Sequence, residues 1–385
     1  MLLIQCACCA AELGLSSGKK CGRCSTRYCG PECQVQHWKE GGHDTLCKKI
    51  KKSGGAEQYN ANKKYTEAVT VAAEKCADDT KGQTCYICTQ ALHWKTKEGL
   101  VRGCACRGTS GVAHVSCLAE QAKILVAEAV ENNLDWKVKN ERWVRWCECS
   151  MCKQGYHGLV KCALGWACWK TYLGRPETDK IYVMAMNTLG SGLDETGRHA
   201  EALVVKKAEL SMQLRRGAPA SSILAAQTNL ANTYQYLGRL EHSLQLERDV
   251  YDGSLRLLGE EHRDTIISVN NLAATLFKLK RFEEAKSLLR KIMPVARRVL
   301  GENYELTIAM RMSYAQSLYN DEGATLDDLH EAVTLLEENE RIARRVFGGA
   351  HPLAMQMEHD LKKARAKLRA HEIAEAMLAT TLGDA

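Results

Sequence analysis

Residues 85–117 read CYICTQALHWKTKEGLVRGCACRGTSGVAHVSC, and the spacing of their cysteines and histidine decides how this part of the chain folds. They give Cys85-x2-Cys88, Cys104-x-Cys106 and His114-x2-Cys117, and a fourth pair, Cys149-x2-Cys152, follows residues 118–148. Soft ligands in close pairs are what tetrahedral zinc requires, and eight of them make two sites. Four protein ligands per ion leave no open coordination position, so these zincs are structural rather than catalytic. Upstream the pattern recurs as Cys6-x2-Cys9, Cys21-x2-Cys24, Cys29-x3-Cys33 and His43-x3-Cys47. This second series makes one site of four thiolates and one of three thiolates with an imidazole. A segment so short, with few large aliphatics, cannot hold itself together by burial. A structural zinc supplies about 10–16 kcal/mol of apparent folding free energy at neutral pH, enough to replace that core.

The rest of the composition sets limits. The chain has 385 residues, which suggests two or three domains, with nineteen cysteines but only three phenylalanines. Its 45% hydrophobic and 26% charged content is ordinary for globular proteins and excludes wholesale disorder. No run of eighteen apolar residues exists to span a bilayer. The opening MLLIQCACCAAELGL lacks a basic flank, and its removal would delete Cys6 and Cys9, so a secretory leader is not expected. Metal therefore explains the cysteines better than disulfides do, and the expectation is a soluble intracellular protein, cytoplasmic or nuclear.

The flanking residues carry two resemblances. Residues 6–47, with the run Cys33-Gln34-x-x-His37-Trp38 ahead of the last ligand pair, resemble the MYND zinc finger. The resemblance implies interleaved ligands: Cys6, Cys9, Cys29 and Cys33 on one zinc, and Cys21, Cys24, His43 and Cys47 on the other. Gly41-Gly42 lengthens the usual spacing, which leaves His37 as an alternative to His43, and Cys8 is an alternative to Cys6. Related fingers mostly bind short proline-containing peptides. The phrases CYIC, CACRGTSGVAHVSCL and CSMCKQGYHG resemble the RING-CH finger, with cysteine fourth and histidine fifth. That resemblance implies Cys85, Cys88, His114 and Cys117 on one zinc, and Cys104, Cys106, Cys149 and Cys152 on the other. It also implies a ubiquitin ligase that grips a ubiquitin-conjugating enzyme, with no catalytic residue of its own. Ile87 fits the apolar contact to that enzyme, or else packs under the zinc loops. Gln121 stands where the family commonly has tryptophan, and the 118–148 insert is long. Its Trp136, Trp143 and Trp146 either fill that place or pack the insert, and Cys147 competes with Cys149. Cys76, Cys162 and Cys168 read as buried thiols.

Cysteines stop at Cys168, and after about Lys180 the sequence becomes leucine- and alanine-rich with helical periodicity. Leu189, Leu230, Leu272 and Tyr314 form one column, each followed by a small residue: Gly190, Ala231, Ala273 and Ala315. Turns recur at Gly197-Arg198, Gly238-Arg239 and Lys280-Arg281, and a second punctuation at Gly259, Gly301 and Gly348. Ala285, Leu288, Leu289, Ile292, Ala296 and Val299 make the apolar stripe of the third unit's longer helix. A single such hairpin cannot bury its apolar face, whereas stacked units share a core. The phrase NNLAATLFKLKRFEEA resembles tetratricopeptide repeats of the kinesin light chain kind. Such repeats present a peptide-binding groove in which Asn229, Asn270 and Asn271 would sit, unless these asparagines serve capping or inter-helix bonds.

The expected organisation is thus two cross-braced zinc-binding domains followed by an all-α tetratricopeptide-type solenoid. Its parts are a MYND-type finger at 6–47, a linker with one helix at 48–84, opening on a flexible Ser53-Gly54-Gly55 break, and a RING-CH-type finger at 85–156. A connecting helix at 157–180, repeats at 181–352 and a capping helix with tail at 353–385 complete it. Function divides between a RING-CH ligase, which selects protein substrates through the repeats and the MYND finger, and a non-catalytic scaffold for protein partners. The finger spacings are not those of nucleic-acid fingers. Fourteen thiolates contribute −14 and four zinc ions +8, so the formal net charge of +7 becomes +1 and the hint of a nucleic-acid partner goes with it.

Overall fold

The computed structural model describes residues 5–11, 13, 18–349 and 351–383, with 378–383 as backbone only. It divides into two compact units, Met1–Ala218 and Pro219–Ala385. Two structural zinc-binding segments and an all-helical repeat array make up the chain. Among the described residues no helix is long and apolar enough to cross a membrane.

The first unit opens with strands β1 (Lys19–Lys20) and β2 (Arg27–Tyr28), antiparallel with Lys19 opposite Tyr28. Helices α1 (Pro31–Lys39) and α2 (His43–Lys52) follow. Pro31 suits the first helical position, where its missing N–H has no intrahelical partner to lose. The Ser53-Gly54-Gly55 segment is a folded corner and not the flexible break that its composition suggests. Gly54 and Gly55 take φ of 91° and 104°, open to glycine alone at little cost, and the Ala56 amide then donates to the Cys24 carbonyl at 2.9 Å. Helix α3 (Ala56–Cys76) starts from that anchor and buries Tyr65, Val69 and Ala72 on the face its periodicity marks.

Beyond the next zinc loops come α4 (Val115–Glu131), α5 (Trp136–Trp143), a 3-10 turn at Val144–Trp146, and α6 (Gly158–Tyr172). Helices α7 (Lys180–Glu195) and α8 (His199–Arg215) close the unit. Helix α6 is buried nearly all round, from Val160 through Cys162, Trp166, Cys168 and Trp169 to Tyr172, as expected of a core helix rather than a surface one. It packs against α3, α4 and α7. The approach to α7 is close because Gly192 lacks a side chain: a Cβ there would lie 2.8 Å from the Lys161 carbonyl oxygen and 3.0 Å from the Cys162 Cα.

The second unit stacks three hairpins: α9 (Ala220–Tyr236) with α10 (Leu240–Leu258), α11 (Arg263–Lys278) with α12 (Phe282–Leu300), and α13 (Glu305–Asn320) with α14 (Leu326–Phe347). Helix α15 (Pro352–Gly383) covers the last one. Leu230, Leu272 and Tyr314 are buried, as are the small residues after them, so the repeat column is the packed one. Within α12, Ala285, Leu289, Ile292 and Ala296 are buried, while Val299 at the end of the stripe is 39% exposed. The buried Asp360 of α15 accepts from the Tyr319 hydroxyl at 3.0 Å and from the Gln316 and Gln356 amides at 2.6 and 3.1 Å.

Two substitutions check this packing. Gly192→Val should destabilise the first unit by about 1–3 kcal/mol, the usual cost of overpacking, read from urea unfolding. Asp360→Ala should cost the second unit about 2 kcal/mol, since three donors lose a charged acceptor, and should speed hydrogen exchange in α15.

Candidate metal centres

The four cysteine pairs with x2 spacing fold into the same turn. In each, the first cysteine's amide donates to the carbonyl five residues on: Cys6 to Ala11, Cys21 to Thr26, Cys85 to Gln90 and Cys149 to Gln154, at 2.8–3.0 Å. The residue after the second cysteine is left-handed in every case: Ala10, Ser25, Thr89 and Lys153, with φ of 59–63°. Such a conformation costs a non-glycine residue about 1–2 kcal/mol, and it persists where the surroundings over-determine the turn. A fifth turn of the same form joins His93 to Glu98, with Lys97 at φ 59°. There His93 and Thr96 stand at the cysteine positions and bond each other, with Oγ1 of Thr96 2.8 Å from Nδ1 of His93.

These turns gather sixteen side chains into four sets, with the ligand atoms of each set within 4.8 Å of one another. The sets are Cys6, Cys9, Cys29 and Cys33; Cys21, Cys24, His43 and Cys47; Cys85, Cys88, His114 and Cys117; and Cys104, Cys106, Cys149 and Cys152. This is the interleaved grouping that both resemblances imply. Zinc–sulfur bonds of about 2.3 Å give a tetrahedron with edges of about 3.8 Å. The sulfurs of Cys9 and Cys29 are 3.6 Å apart, those of Cys21 and Cys47 3.9 Å, and those of Cys106 and Cys149 3.8 Å. The donor chemistry and the spacing both fit zinc, the structural cofactor, at four sites.

The alternatives that the sequence leaves open separate here. Nε2 of His43 lies 3.4 Å from the Cys24 sulfur, whereas Nδ1 of His37 pairs with the Tyr28 hydroxyl at 3.0 Å. Gly41-Gly42 makes the corner between α1 and α2, with Gly42 at φ 69° immediately before His43. Cys8 lies outside the sets and points its sulfur at the Gln36 side chain, 3.4 Å away. Cys147 is also outside, and burial pushes its thiol up, as it does those of Cys162 and Cys168.

Electrostatics support ligation. Burial pulls the Cys6 thiol upward, but the amides of Cys9, Cys29 and Cys8 outweigh it and hold Cys6 at about 6. The Gln154 amide likewise holds Cys152 at about 7. Thiolates available at neutral pH are the form that binds metal. Burial and the neighbouring cysteines push Cys104 and Cys117 far up, a conflict that a divalent cation among them removes. Gly111 is confined by the last set: at φ 73°, a Cβ would lie 2.5 Å from the Cys106 Cβ and 3.0 Å from the Cys104 sulfur.

Around the third set, the Glu98 carboxylate accepts from the Ser116 amide at 2.6 Å and its hydroxyl at 2.8 Å, between ligands His114 and Cys117. Tyr65 of α3 reaches the same hydroxyl at 2.9 Å, and Lys170 of α6 lies 3.5 Å over the Tyr65 ring. The insert's Trp143 and Trp146 are buried against Tyr172, with ring centres 5.4 and 5.8 Å away, while Trp136 is exposed beside Lys180. Gln121 is half-buried on α4. Ile87 stays 37% exposed. A residue that sequence reasoning missed stands in the other zinc loop: Met151, 49% exposed. The Tyr86 and Ser150 hydroxyls, beside Ile87 and Met151 respectively, meet at 3.1 Å and tie the two loops together. Asn229 and Asn271 line one cavity of about 310 Å³ with Leu224 and Leu257, and Asn270 is not among its lining residues.

Comparison with known families gives three matches: a MYND finger at residues 6–47, a RING-variant domain at 85–129 and a tetratricopeptide repeat at 222–298. The chain carries all three modules. No curated protein matches it. Among solved structures, the nearly identical TPR-like repeats of a Podospora anserina kinesin light chain are 19% identical over 60% of this chain and 97% of that one, with a TM-score of 0.41. BtubC (BKLC) from P. vanneervenii is 15% identical over 68% and 90%, with the same score. The TPR2AB domain of yeast Sti1, in complex with pHSP90, is 12% identical over 65% and 99%, with a score of 0.23. Scores this low carry no weight for fold or partner.

Native mass spectrometry of the reconstituted protein should give four zinc ions per chain. His43→Ala should lower that to three, and His37→Ala should leave it at four.

Proposed function

We propose that the chain is a RING-CH-type ubiquitin ligase whose repeats and MYND finger select protein substrates. The observation that carries this reading is the pair of tied zinc loops with Ile87 and Met151 exposed on them. An apolar contact of this kind gives a ubiquitin-conjugating enzyme a rigid place to dock. Both loops are over-determined by zinc ligation and by the hydroxyl pair, so little ordering entropy is lost on binding. The rate gain comes from holding the charged thioester near a substrate lysine, with no covalent intermediate on the ligase. All four metal sets use four protein ligands each, which matches a positioning role rather than chemistry at a metal.

Substrate choice would rest with the other modules. Asn229 and Asn271 flank a groove with Leu224 and Leu257, suited to an extended peptide whose backbone amides they would bind. Asn270 is proposed for the same role from the repeat pattern alone. The MYND finger would take a proline-containing segment.

A second reading, a scaffold that binds proteins without transferring ubiquitin, is favoured by Gln121, which puts a polar amide where the family has a large aromatic. Autoubiquitination across a panel of conjugating enzymes separates the two. The ligase reading expects Ile87→Ala to lower product at least tenfold while the chain keeps its four zincs. Zinc-independent product, or none from the wild type with any enzyme of the panel, overturns it.

A further inference from the structure

The four metal sets differ in how well they are covered. In the set of Cys21, Cys24, His43 and Cys47 every ligand is buried. The third set has three buried ligands, and in the fourth Cys104 and Cys149 are buried and Cys106 and Cys152 half-buried. Only the first leaves ligands exposed: Cys9 and Cys29 face solvent, Cys33 is half-buried and Cys6 alone is covered. Charge adds to this. Four thiolates on Zn²⁺ carry a formal −2, against −1 for three thiolates and an imidazole, and a more negative, exposed sulfur is the better nucleophile toward oxidants. The first and fourth sets share the −2 charge, but the first alone combines it with open sulfurs. No other thiol outside the sets is as open: Cys162 and Cys168 are buried, Cys147 is half-buried, Cys8 is half-buried with its sulfur 3.4 Å from the Gln36 side chain, and the half-buried Cys76 turns its sulfur toward the Arg102 carbonyl, 3.6 Å away.

We propose that Cys9 and Cys29 form an oxidation site through which peroxide removes the first zinc of the MYND finger. Their sulfurs are 3.6 Å apart; those of Cys29 and Cys33 are closer, at 3.4 Å, but Cys33 is half-buried, whereas Cys9 and Cys29 are the two ligands open to an oxidant. Hydrogen peroxide, or another two-electron oxidant, withdraws one electron pair from the two thiolates. An S–S bond forms, the peroxide O–O bond breaks, and two protons from solvent complete two water molecules. Zn²⁺, left with Cys6 and Cys33 alone, departs. The inner set keeps its cover, and α3 keeps its anchor through the Ala56 amide and the Cys24 carbonyl. Oxidation therefore opens the outer loop of the MYND finger and spares the two zincs of the RING-variant domain. The site stands whether or not the chain transfers ubiquitin.

The test uses the wild-type full chain carrying four zincs. Substoichiometric hydrogen peroxide is added, release is followed with a chromogenic zinc indicator and native mass spectrometry, and free thiols are mapped by differential alkylation. The expected result is a step from four zincs to three, with a Cys9–Cys29 disulfide and intact thiols from Cys85 to Cys152. Cys8→Ser should release the same zinc at an unchanged rate. Any other first disulfide, a first loss from Cys104, Cys106, Cys149 and Cys152, concerted loss of all four zincs, or release slowed several-fold in Cys8→Ser overturns the assignment.

Discussion

Interleaved zinc ligation is the constraint on which the first unit depends. Ligands of one ion come from stretches that flank ligands of the other, so each site closes only when two separated pairs meet. Cys6 and Cys9 wait for Cys29 and Cys33, and between them Cys21 and Cys24 wait for His43 and Cys47. This crossing fixes loops that have almost no apolar residues to bury. It also holds four residues in a left-handed backbone that none of them would choose alone. Ligation is one way to hold such a turn; at Lys97 the same backbone is held by the pairing of His93 with Thr96.

The zinc framework does not end at the fingers. Helix α3 begins on the carbonyl of Cys24, a ligand of the second zinc, and its Tyr65 bonds Ser116, which lies between two ligands of the third. Lys170 of α6 covers the Tyr65 ring. Three elements from distant parts of the sequence therefore share one packed corner, and α3 acts as a strut between two metal centres. Helix α6 extends this corner into the helical layer formed with α7 and α8. The segment that reads as a linker with one helix is thus part of the structural core of the unit.

Much of this was legible in the sequence because metal ligation and helical repeats are written locally. Pair spacing picks out the sixteen side chains that the fold gathers into four sets, and the column of Leu230, Leu272 and Tyr314 identifies the packed face of the repeats. What was not legible needs the third dimension. The spacing around Gly41-Gly42 cannot choose between His37 and His43, since only the αL corner decides which ring faces Cys24. Gly54 and Gly55 read as freedom, yet the same φ range that permits flexibility also permits a tight anchored turn. Asn270 and Asn271 are neighbours in sequence but about 100° apart around a helix, so only one lines the cavity. Helix α6 carries apolar residues on all sides and thus no period to read; its burial follows from having α3, α4 and α7 on its faces.

The basic character of the N-terminal part finds its explanation in the same framework. Lys48, Lys49, Lys51 and Lys52 are exposed on α2, and the last three lie in its final turn, where cations interact favourably with the helix dipole. Cys47, one residue before the run, belongs to a set that would carry a formal −1 with zinc bound, and the neighbouring set of four thiolates would carry −2. Over distances near the Debye length of about 8–10 Å these charges oppose one another. A lysine cluster that looks like a nucleic-acid footprint in a count of side chains is thereby accounted for within the finger. Three of its lysines stand in the last turn of a helix, and its charge is opposite in sign to that of the adjacent thiolate sets.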